Sequence, residues 1–180
     1  VAALYNWLLG IAHQGMTENF RMNRLLMWIQ PENYSSGIGY QTVQGLYAIG
    51  SGGLFGKGLG KSLQKLGFIP ESQNDMIFSI ICEELGLFGA MCIILVFALM
   101  LWRIIHIAQN APDLFGTMLA AGVFAHVAVQ VVLNIAVVTN FIPNTGVSLP
   151  FISYGGTASF FLLLEMGIVL NISSKIRLER

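Results

Sequence analysis

Asp75 is a carboxylate whose position allows a chemical or a structural role. It follows the polar stretch Pro70-Glu-Ser-Gln-Asn74 and stands directly before a long apolar run. A carboxylate at the mouth of such a run can take a proton from a substrate hydroxyl as a general base. An aspartate in the same place can also cap a helix, because its side chain accepts hydrogen bonds from the first-turn amides and suits the positive helix end. The residues alone leave both roles open.

A segment rich in glycine and lysine lies upstream. This glycine-rich segment, residues 50–62, contains Lys57 and Lys61, and Lys65 follows it. It is not a P-loop, because a motif that ends at Lys61 requires glycine at the position of Phe55. Glycines let backbone N–H groups approach an anion and the lysines add positive charge, so the segment suits a pyrophosphate group. The alternative is a flexible re-entrant loop without a ligand.

Polar residues inside apolar runs form a third group of candidates. Glu83 and Glu84 lie about two helical turns into the run that follows Asp75, and Glu165 lies midway through a later run. Charged groups are costly at membrane depth, so each is expected to face protein or a polar cavity. Three more polar residues share one face of the run at residues 115–139, and we call them the polar stripe. They either hold helices together or line a polar path. They are His126, Gln130 and Asn134.

The composition indicates a membrane protein. Of the 180 residues, 55% are hydrophobic and only 10% are charged, whereas soluble domains carry roughly 25% charged residues. The formal net charge of +0 gives no basis for binding nucleic acid. Three apolar runs have the length that a helix needs to cross a bilayer. They extend over residues 76–102, 115–139 and 157–172.

These runs predict an all-α fold, a polytopic membrane helix bundle. Residues 1–15 are predicted to be the end of a truncated transmembrane helix, and residues 16–75 a large extracytoplasmic loop. Residues 76–180 would then hold three full spans and the C-terminus. Loops as long as 16–75 are usually functional.

Charges near the span ends predict the orientation. The link between the second and third spans, residues 140–156, has no charged residue, and we refer to it as the uncharged link. The link between the first two spans contains Arg103 and His106, and the C-terminus reads Lys175-Ile-Arg-Leu-Glu-Arg180. Positive charge favours the cytoplasmic side, so we expect the C-terminus inside and the uncharged link outside, together with loop 16–75.

Several motifs, in the same order along the chain, resemble the SEDS family of FtsW, RodA and SpoVE. The stretch Ala111-Pro-Asp-Leu-Phe-Gly116 is more similar to the FtsW/SpoVE branch than to RodA. The other matching motifs are Tyr40-Gln-Thr-Val-Gln44, Ala48-Ile-Gly-Ser-Gly-Gly-Leu-Phe-Gly-Lys-Gly-Leu-Gly60, Asn74-Asp-Met-Ile-Phe78, Glu83-Glu-Leu-Gly86 and Leu149-Pro-Phe-Ile-Ser-Tyr-Gly-Gly156.

The resemblance implies a peptidoglycan glycosyltransferase in the bacterial cytoplasmic membrane that polymerises lipid II. It places the essential carboxylate at Asp75, and it implies a class B penicillin-binding protein and other divisome or elongasome proteins as partners. We expect a divalent cation, Mg or Mn, or basic groups to neutralise the leaving pyrophosphate. The expected substrate-binding residues are Gln44, Lys57, Lys61, Lys65, Glu83 and Glu84.

Two other functions remain open at this point. A lipid II flippase would use the polar stripe at His126 and the glutamates within the spans to line a path for the headgroup. A scaffold subunit would use its membrane surface to hold the partners of a divisome or elongasome.

Overall fold

The computed structural model describes Arg24 and residues 27–29, 38–62 and 74–176. Within these ranges the secondary structure is helical, without strands, so the predicted all-α fold is confirmed. The predicted truncated helix at residues 1–15 lies outside the described residues, as does the end of the basic C-terminus. Four long helices lie within these ranges: α1 (Ile38–Gly52), α2 (Ile77–Gln109), α3 (Leu114–Val138) and α4 (Gly156–Lys175).

Helices α2, α3 and α4 are the three predicted spans. They contain 33, 25 and 20 residues and are apolar enough to cross a membrane. At 1.5 Å per residue, even the shortest covers about 30 Å, the thickness of the hydrocarbon core. The chain is therefore part of a multi-pass membrane protein.

A tight turn joins α2 to α3. The backbone N–H of Asn110 donates to the carbonyl of His106 at 3.3 Å and closes the end of α2. The Asp113 carboxylate then accepts from the N–H of Gly116 at 3.1 Å and caps the start of α3. Because so few residues separate the two helices, they pack side by side in opposite directions.

The core lies between α2 and α3, and α4 packs onto α3. Valines four residues apart form the buried face of α3, as helical periodicity requires. The outer faces of α2 and α4 are apolar and exposed, which suits lipid or further helices. The buried core includes Ala90, Phe97, Ile104, Val123, Val127, Val131, Leu162 and Val169. The exposed apolar residues include Leu95, Leu99, Trp102, Phe160, Leu163 and Leu170.

Helix α2 bends at Gly86. The backbone there has φ 69° and ψ −168°, which is not helical and which glycine adopts most easily. Residues 87–109 alone extend about 34 Å, enough to span the hydrocarbon core without residues 77–85. The sequence predicts one span over residues 76–102, whereas the structure has a spanning limb, residues 87–109, and a shorter first limb, residues 77–85.

Helix α1 lies inside the predicted loop 16–75 and was not predicted. It runs parallel to the first limb of α2: Gln41, near its start, contacts Asp75, and Gly52, at its end, lies against Cys82. Gly45, between them, approaches Met76 closely. The first limb of α2 and α1 therefore form a two-helix unit at one end of the spanning bundle, which we call the Asp75 end.

Candidate functional site

The Asp75 carboxylate is held by α1. The side-chain amide of Gln41 donates to its Oδ1 at 3.0 Å, and Asp75 is half-buried. Gln41 can reach this position because Gly45 and Ala48, on the same face of α1, are small and allow α1 to pack closely on α2. An acidic side chain with an oriented oxygen therefore lies at one end of the membrane bundle.

The backbone of Asp75 is held by α3. The Nδ2 group of Asn134 donates to the Asp75 carbonyl at 2.9 Å and to the Val147 carbonyl at 2.7 Å. Asn134 is completely buried. Parts of α1, α2, α3 and the uncharged link thus meet at Asp75.

The helix-capping alternative for Asp75 does not match this geometry. Helix α2 begins at Ile77, and Met76 occupies its N-cap position without a side-chain cap hydrogen bond. Gln41 on α1 donates to the Asp75 carboxylate. The carboxylate is therefore oriented by α1 and lies outside the N-cap position of α2.

A second polar cluster is centred on Glu83, which is completely buried. Its Oε1 accepts from the Lys57 ammonium at 2.7 Å and from the Ser51 hydroxyl at 3.4 Å, and its Oε2 accepts from the Ser62 hydroxyl. Lys57 also donates to the Ser51 oxygen at 2.9 Å. The positive charge of Lys57 is therefore already paired with a carboxylate, and a substrate phosphate would have to compete for it.

Two amides of the glycine-rich segment are also used within the protein. The N–H of Lys57 donates to the Glu83 carbonyl, and the N–H of Gly58 donates to the Glu84 carbonyl, each at 2.9 Å. The predicted cradle of backbone amides around an anion cannot include these two groups in this conformation. Their acceptors show instead that the segment binds α2.

The remaining predicted site residues that the structure describes differ in their surroundings. Lys61 is exposed, and Lys65 lies outside the described residues. Gln44 is half-buried on α1, three positions after Gln41. Glu84 is buried, and its Oε1 has no hydrogen-bond partner in the described part of the chain.

The three polar residues predicted on one face of α3 differ in burial: Asn134 is completely buried, Gln130 is half-buried and the side chain of His126 is 47% exposed. Besides the contacts of Asn134, the Nδ1 atom of His126 lies 3.0 Å from Oε2 of Glu165 on α4. Gln130 lies between them on α3, and its Oε1 is buried without a hydrogen-bond partner in the described ranges. The observed contacts of Asn134 and His126 join elements of the bundle, which is the interhelical role.

Sequence reasoning missed Gln41, Ser51 and Ser62. A signal for Gln41 was present, because Gln41, Gly45 and Ala48 follow the spacing of one helical face with small residues. The serines gave no signal, since a serine in a glycine-rich stretch is equally typical of an unstructured loop.

The described residues offer few metal ligands. They contain no group of three or more His, Cys, Asp or Glu side chains that could hold a metal ion. Two amide side chains, those of Gln41 and Asn134, are seen to bond to Asp75 within the described residues. A magnesium ion is often bound by one or two carboxylates plus substrate phosphates, so Asp75 fits such an ion only with substrate present.

Comparison with known sequences gives consistent matches. The family model for FtsW, RodA and SpoVE, described as cell cycle protein, matches residues 1–178. Stage V sporulation protein E of Bacillus subtilis is 48% identical over 154 residues, which are 86% of this chain and 42% of that protein. A probable peptidoglycan glycosyltransferase FtsW of Trichlorobacter lovleyi is 44% identical over 159 residues, 88% of this chain and 42% of that protein. The chain thus spans about two fifths of the length of these relatives.

Two solved structures share the fold. One is described as structural coordination of polymerization and crosslinking by a peptidoglycan synthase complex. Its TM-score is 0.67 at 22% identity, and the matched region covers 98% of this chain and 48% of the other. The second is a mutant of the rod shape determining protein RodA from Thermus thermophilus, with a TM-score of 0.57 at 23% identity over 96% of this chain and 64% of the other. At these identities the likeness concerns the fold alone.

Proposed function

The chain belongs to the FtsW/RodA/SpoVE family of cell cycle proteins, and from this premise we propose that its protein is a peptidoglycan glycosyltransferase that polymerises lipid II. Relatives named probable peptidoglycan glycosyltransferase FtsW, at 44% identity, support the reaction class. One structural observation carries the proposal: the Asp75 carboxylate is oriented by Gln41 at one end of the spanning bundle. A lipid-linked sugar held by its lipid in the membrane would present its headgroup at such an end.

In the proposed reaction Asp75 is the general base. It takes the proton of the acceptor sugar hydroxyl while that oxygen forms a bond to the anomeric carbon of the donor. The bond from that carbon to the lipid pyrophosphate breaks, and its electron pair leaves with the pyrophosphate. Gln41 keeps the carboxylate in place, which matters because base catalysis requires the two oxygens to lie within hydrogen-bond reach.

The leaving pyrophosphate needs positive charge nearby. Lys61, which is exposed, and Lys65 are the lysines that we assign to this task. Lys57 is a weaker candidate because it pairs with Glu83. A divalent cation, Mg or Mn, held by Asp75 and the substrate phosphates would supply further countercharge. Gln44 and Glu84 keep their predicted roles as substrate contacts without further support.

The proposal includes an orientation and partners. The Asp75 end would lie outside the cytoplasmic membrane and the C-terminus in the cytoplasm, as the charge distribution predicts. The partner would be a class B penicillin-binding protein, with other divisome or elongasome proteins around it. The similarity to a complex described by polymerization and crosslinking supports a crosslinking partner.

The flippase alternative receives less support from the described contacts. A headgroup path along α3 would use the polar groups of this helix. Of these, the Nδ2 group of Asn134 donates to two carbonyls and His126 contacts Glu165. The side-chain oxygens of Gln130 and Asn134 have no hydrogen-bond partner within the described residues. The scaffold alternative leaves the orientation of Asp75 by Gln41 without a purpose. Glycosyl transfer explains that contact.

The full-length protein, purified with its penicillin-binding partner and given labelled lipid II, tests the proposal. We expect glycan strands that a muramidase digests. Transfer of lipid II across liposomes without strand formation would instead establish the flippase. If the protein showed neither activity, the scaffold function would remain.

A further inference from the structure

Helix α2 is interrupted at Gly86, and the glycine-rich segment enters the break. On the upstream side of the break, the carbonyls of Glu83 and Glu84 accept hydrogen bonds from the amides of Lys57 and Gly58, each at 2.9 Å. In a continuous helix these carbonyls would accept from amides one turn further along α2. The segment thus supplies donors that the bend removes from the helix.

The downstream side of the break is completed in the same way. The N–H of Leu87 donates to the Gly53 carbonyl at 2.9 Å, and the N–H of Phe88 donates to the Leu54 carbonyl at 3.1 Å. Unpaired backbone groups are costly in a membrane, where water cannot replace the lost partner. The glycine-rich segment therefore satisfies both sides of the break and belongs structurally to α2.

The two segments touch backbone to backbone. A methyl group placed on Gly86 would lie 2.6 Å from the Leu54 carbonyl oxygen, and one on Gly56 would lie 2.6 Å from the Gly86 nitrogen. Real Cβ atoms do not approach other atoms so closely. The fit therefore depends on glycine on both sides.

Glu83 fastens the inserted segment. It accepts hydrogen bonds from Lys57 in the middle of the segment and from Ser62 at its end, and Lys57 also donates to Ser51 near its start. A buried carboxylate is stable only when paired and hydrogen-bonded, and Lys57 and Ser62 supply both conditions. The side chain of Glu83 on α2 thus holds the glycine-rich segment in place.

We propose that Glu83 is a positioning residue for Asp75, an inference that rests on the proposed role of Asp75 as the base. Ser51 belongs to α1 and accepts from Lys57 at 2.9 Å, and Lys57 is held by Glu83. Glu83 thus fixes, through Lys57, the far end of the helix whose near end presents Gln41 to Asp75. About 15 Å of helix separates Gln41 from Ser51. A displacement of the C-terminal end of α1 would therefore also move Gln41, which orients the Asp75 carboxylate.

The test uses the full-length protein with its partner and labelled lipid II. In Glu83→Ala we expect kcat to fall about 10- to 100-fold, the cost of a small misplacement at a reacting group, with KM changed less than about threefold. Glu83→Gln keeps one of the two oxygens, which can accept from Lys57 or from Ser62, so we expect kcat between those of the wild type and Glu83→Ala. Glu165→Gln, a matched loss of a carboxylate within a span, should change kcat less than about threefold.

Hydrogen exchange provides a readout that does not depend on activity. In Glu83→Ala we expect faster exchange over residues 53–58, with residues 114–138 protected as in the wild type. If Glu83→Ala does not fold, the double variant Lys57→Met/Glu83→Gln, which removes both charges of the pair, carries the same comparison. Its expected results are the lower kcat and the faster exchange over residues 53–58.

Three results would overturn the inference. They are a wild-type kcat in Glu83→Ala, a raised KM with unchanged kcat, and unchanged exchange over residues 53–58 in an inactive variant. The last would leave the role of Asp75 intact. Conversely, an active Asp75→Asn protein would remove the proposed base, while faster exchange in the Glu83 variant would still identify Glu83 as the fastener of the segment.

Discussion

The side-chain amide of Asn134 donates a hydrogen bond of 2.9 Å to the backbone carbonyl of Asp75. Its second hydrogen goes to the carbonyl of Val147 at 2.7 Å, so both hydrogens of one buried amide hold backbone groups that lie outside helices. A straight α2 would extend about 50 Å, whereas α3 covers about 30 Å from Leu114 to Asn134. The contact between Asn134 and Asp75 therefore depends on the bend in α2.

Replacement of Asn134 by leucine should destabilise the protein. The carbonyls of Asp75 and Val147 would lose their donor in a buried place, and an unsatisfied buried polar group costs about 1–3 kcal/mol. We expect the free energy of unfolding to fall by about 2 kcal/mol or more, measured by denaturant titration in detergent.

Gln130→Leu is the matched control, one turn away on the same helix. The Oε1 of Gln130 is buried and has no hydrogen-bond partner in the described part of the chain. Its replacement by an apolar group should therefore be nearly neutral. Equal losses in the free energy of unfolding of the two variants would show that the hydrogen bonds of Asn134 do not stabilise the protein.

Gly86→Ala should prevent the bend from forming as observed. The added methyl group would collide with the backbone at Leu54, and alanine is strained at φ 69°. We expect a loss of about 3 kcal/mol or more in the free energy of unfolding. Thermal unfolding followed by circular dichroism measures it.

Gly122→Ala on α3 is the corresponding control. A methyl group there meets nothing within 4 Å, and the residue lies inside a regular helix. Alanine should therefore stabilise the protein by about 0.5–1 kcal/mol. Similar effects of the two substitutions would contradict the close backbone contact at Gly86.

The spans could be predicted from sequence because the bilayer fixes their length. A run such as 115–139 has one stable arrangement in lipid, and the structure places α3 at Leu114–Val138. The inward orientation of Asn134, which is completely buried, follows from the same cost argument, whereas the side chain of His126 stays 47% exposed beside Glu165. Each of these inferences needs only local pattern.

The glycine-rich segment and α1 could not be predicted in this way. Helix α1 contains Gly39, Gly45 and Gly50, which locally disfavour a helix. Its close packing on α2 outweighs that preference. Tertiary contacts of this kind produce no periodic pattern in the sequence from which they could be predicted. Lys57 and Glu83 are also far apart in the sequence, so their pairing could not be predicted. Without a known partner, a lysine near the predicted substrate site was interpreted as a phosphate ligand.

The proposed orientation can be tested with single cysteines. In a Cys92→Ala background, which removes the exposed native thiol, we expect a cysteine at Asn144 to react with an impermeant thiol reagent added to intact cells. A cysteine at Ser174 should react only after the membrane is permeabilised, because the positive charges near the C-terminus favour the cytoplasm. Labelling of the Ser174 position in intact cells would reverse the orientation and place Asp75 on the wrong side for an external substrate.

Asp75→Asn tests the proposed base. Asparagine keeps the size of the side chain and an oxygen that can accept from Gln41, so folding and partner binding should survive, with a change in stability within about 1 kcal/mol. It cannot take up a proton as a carboxylate does. Strand formation from lipid II by the full-length protein should therefore fall by about two orders of magnitude or more.

Asp113→Asn supplies the comparison that separates a base from a lost charge. Asp113 caps α3 at the opposite end of the bundle, and asparagine is as good a cap as aspartate. This variant should polymerise lipid II within about twofold of the wild-type rate. If both variants lost activity equally, the effect would lie in the net charge or in folding. If Asp75→Asn polymerised at the wild-type rate, Asp75 would not be the base, and the carboxylate that Gln41 holds would need another explanation.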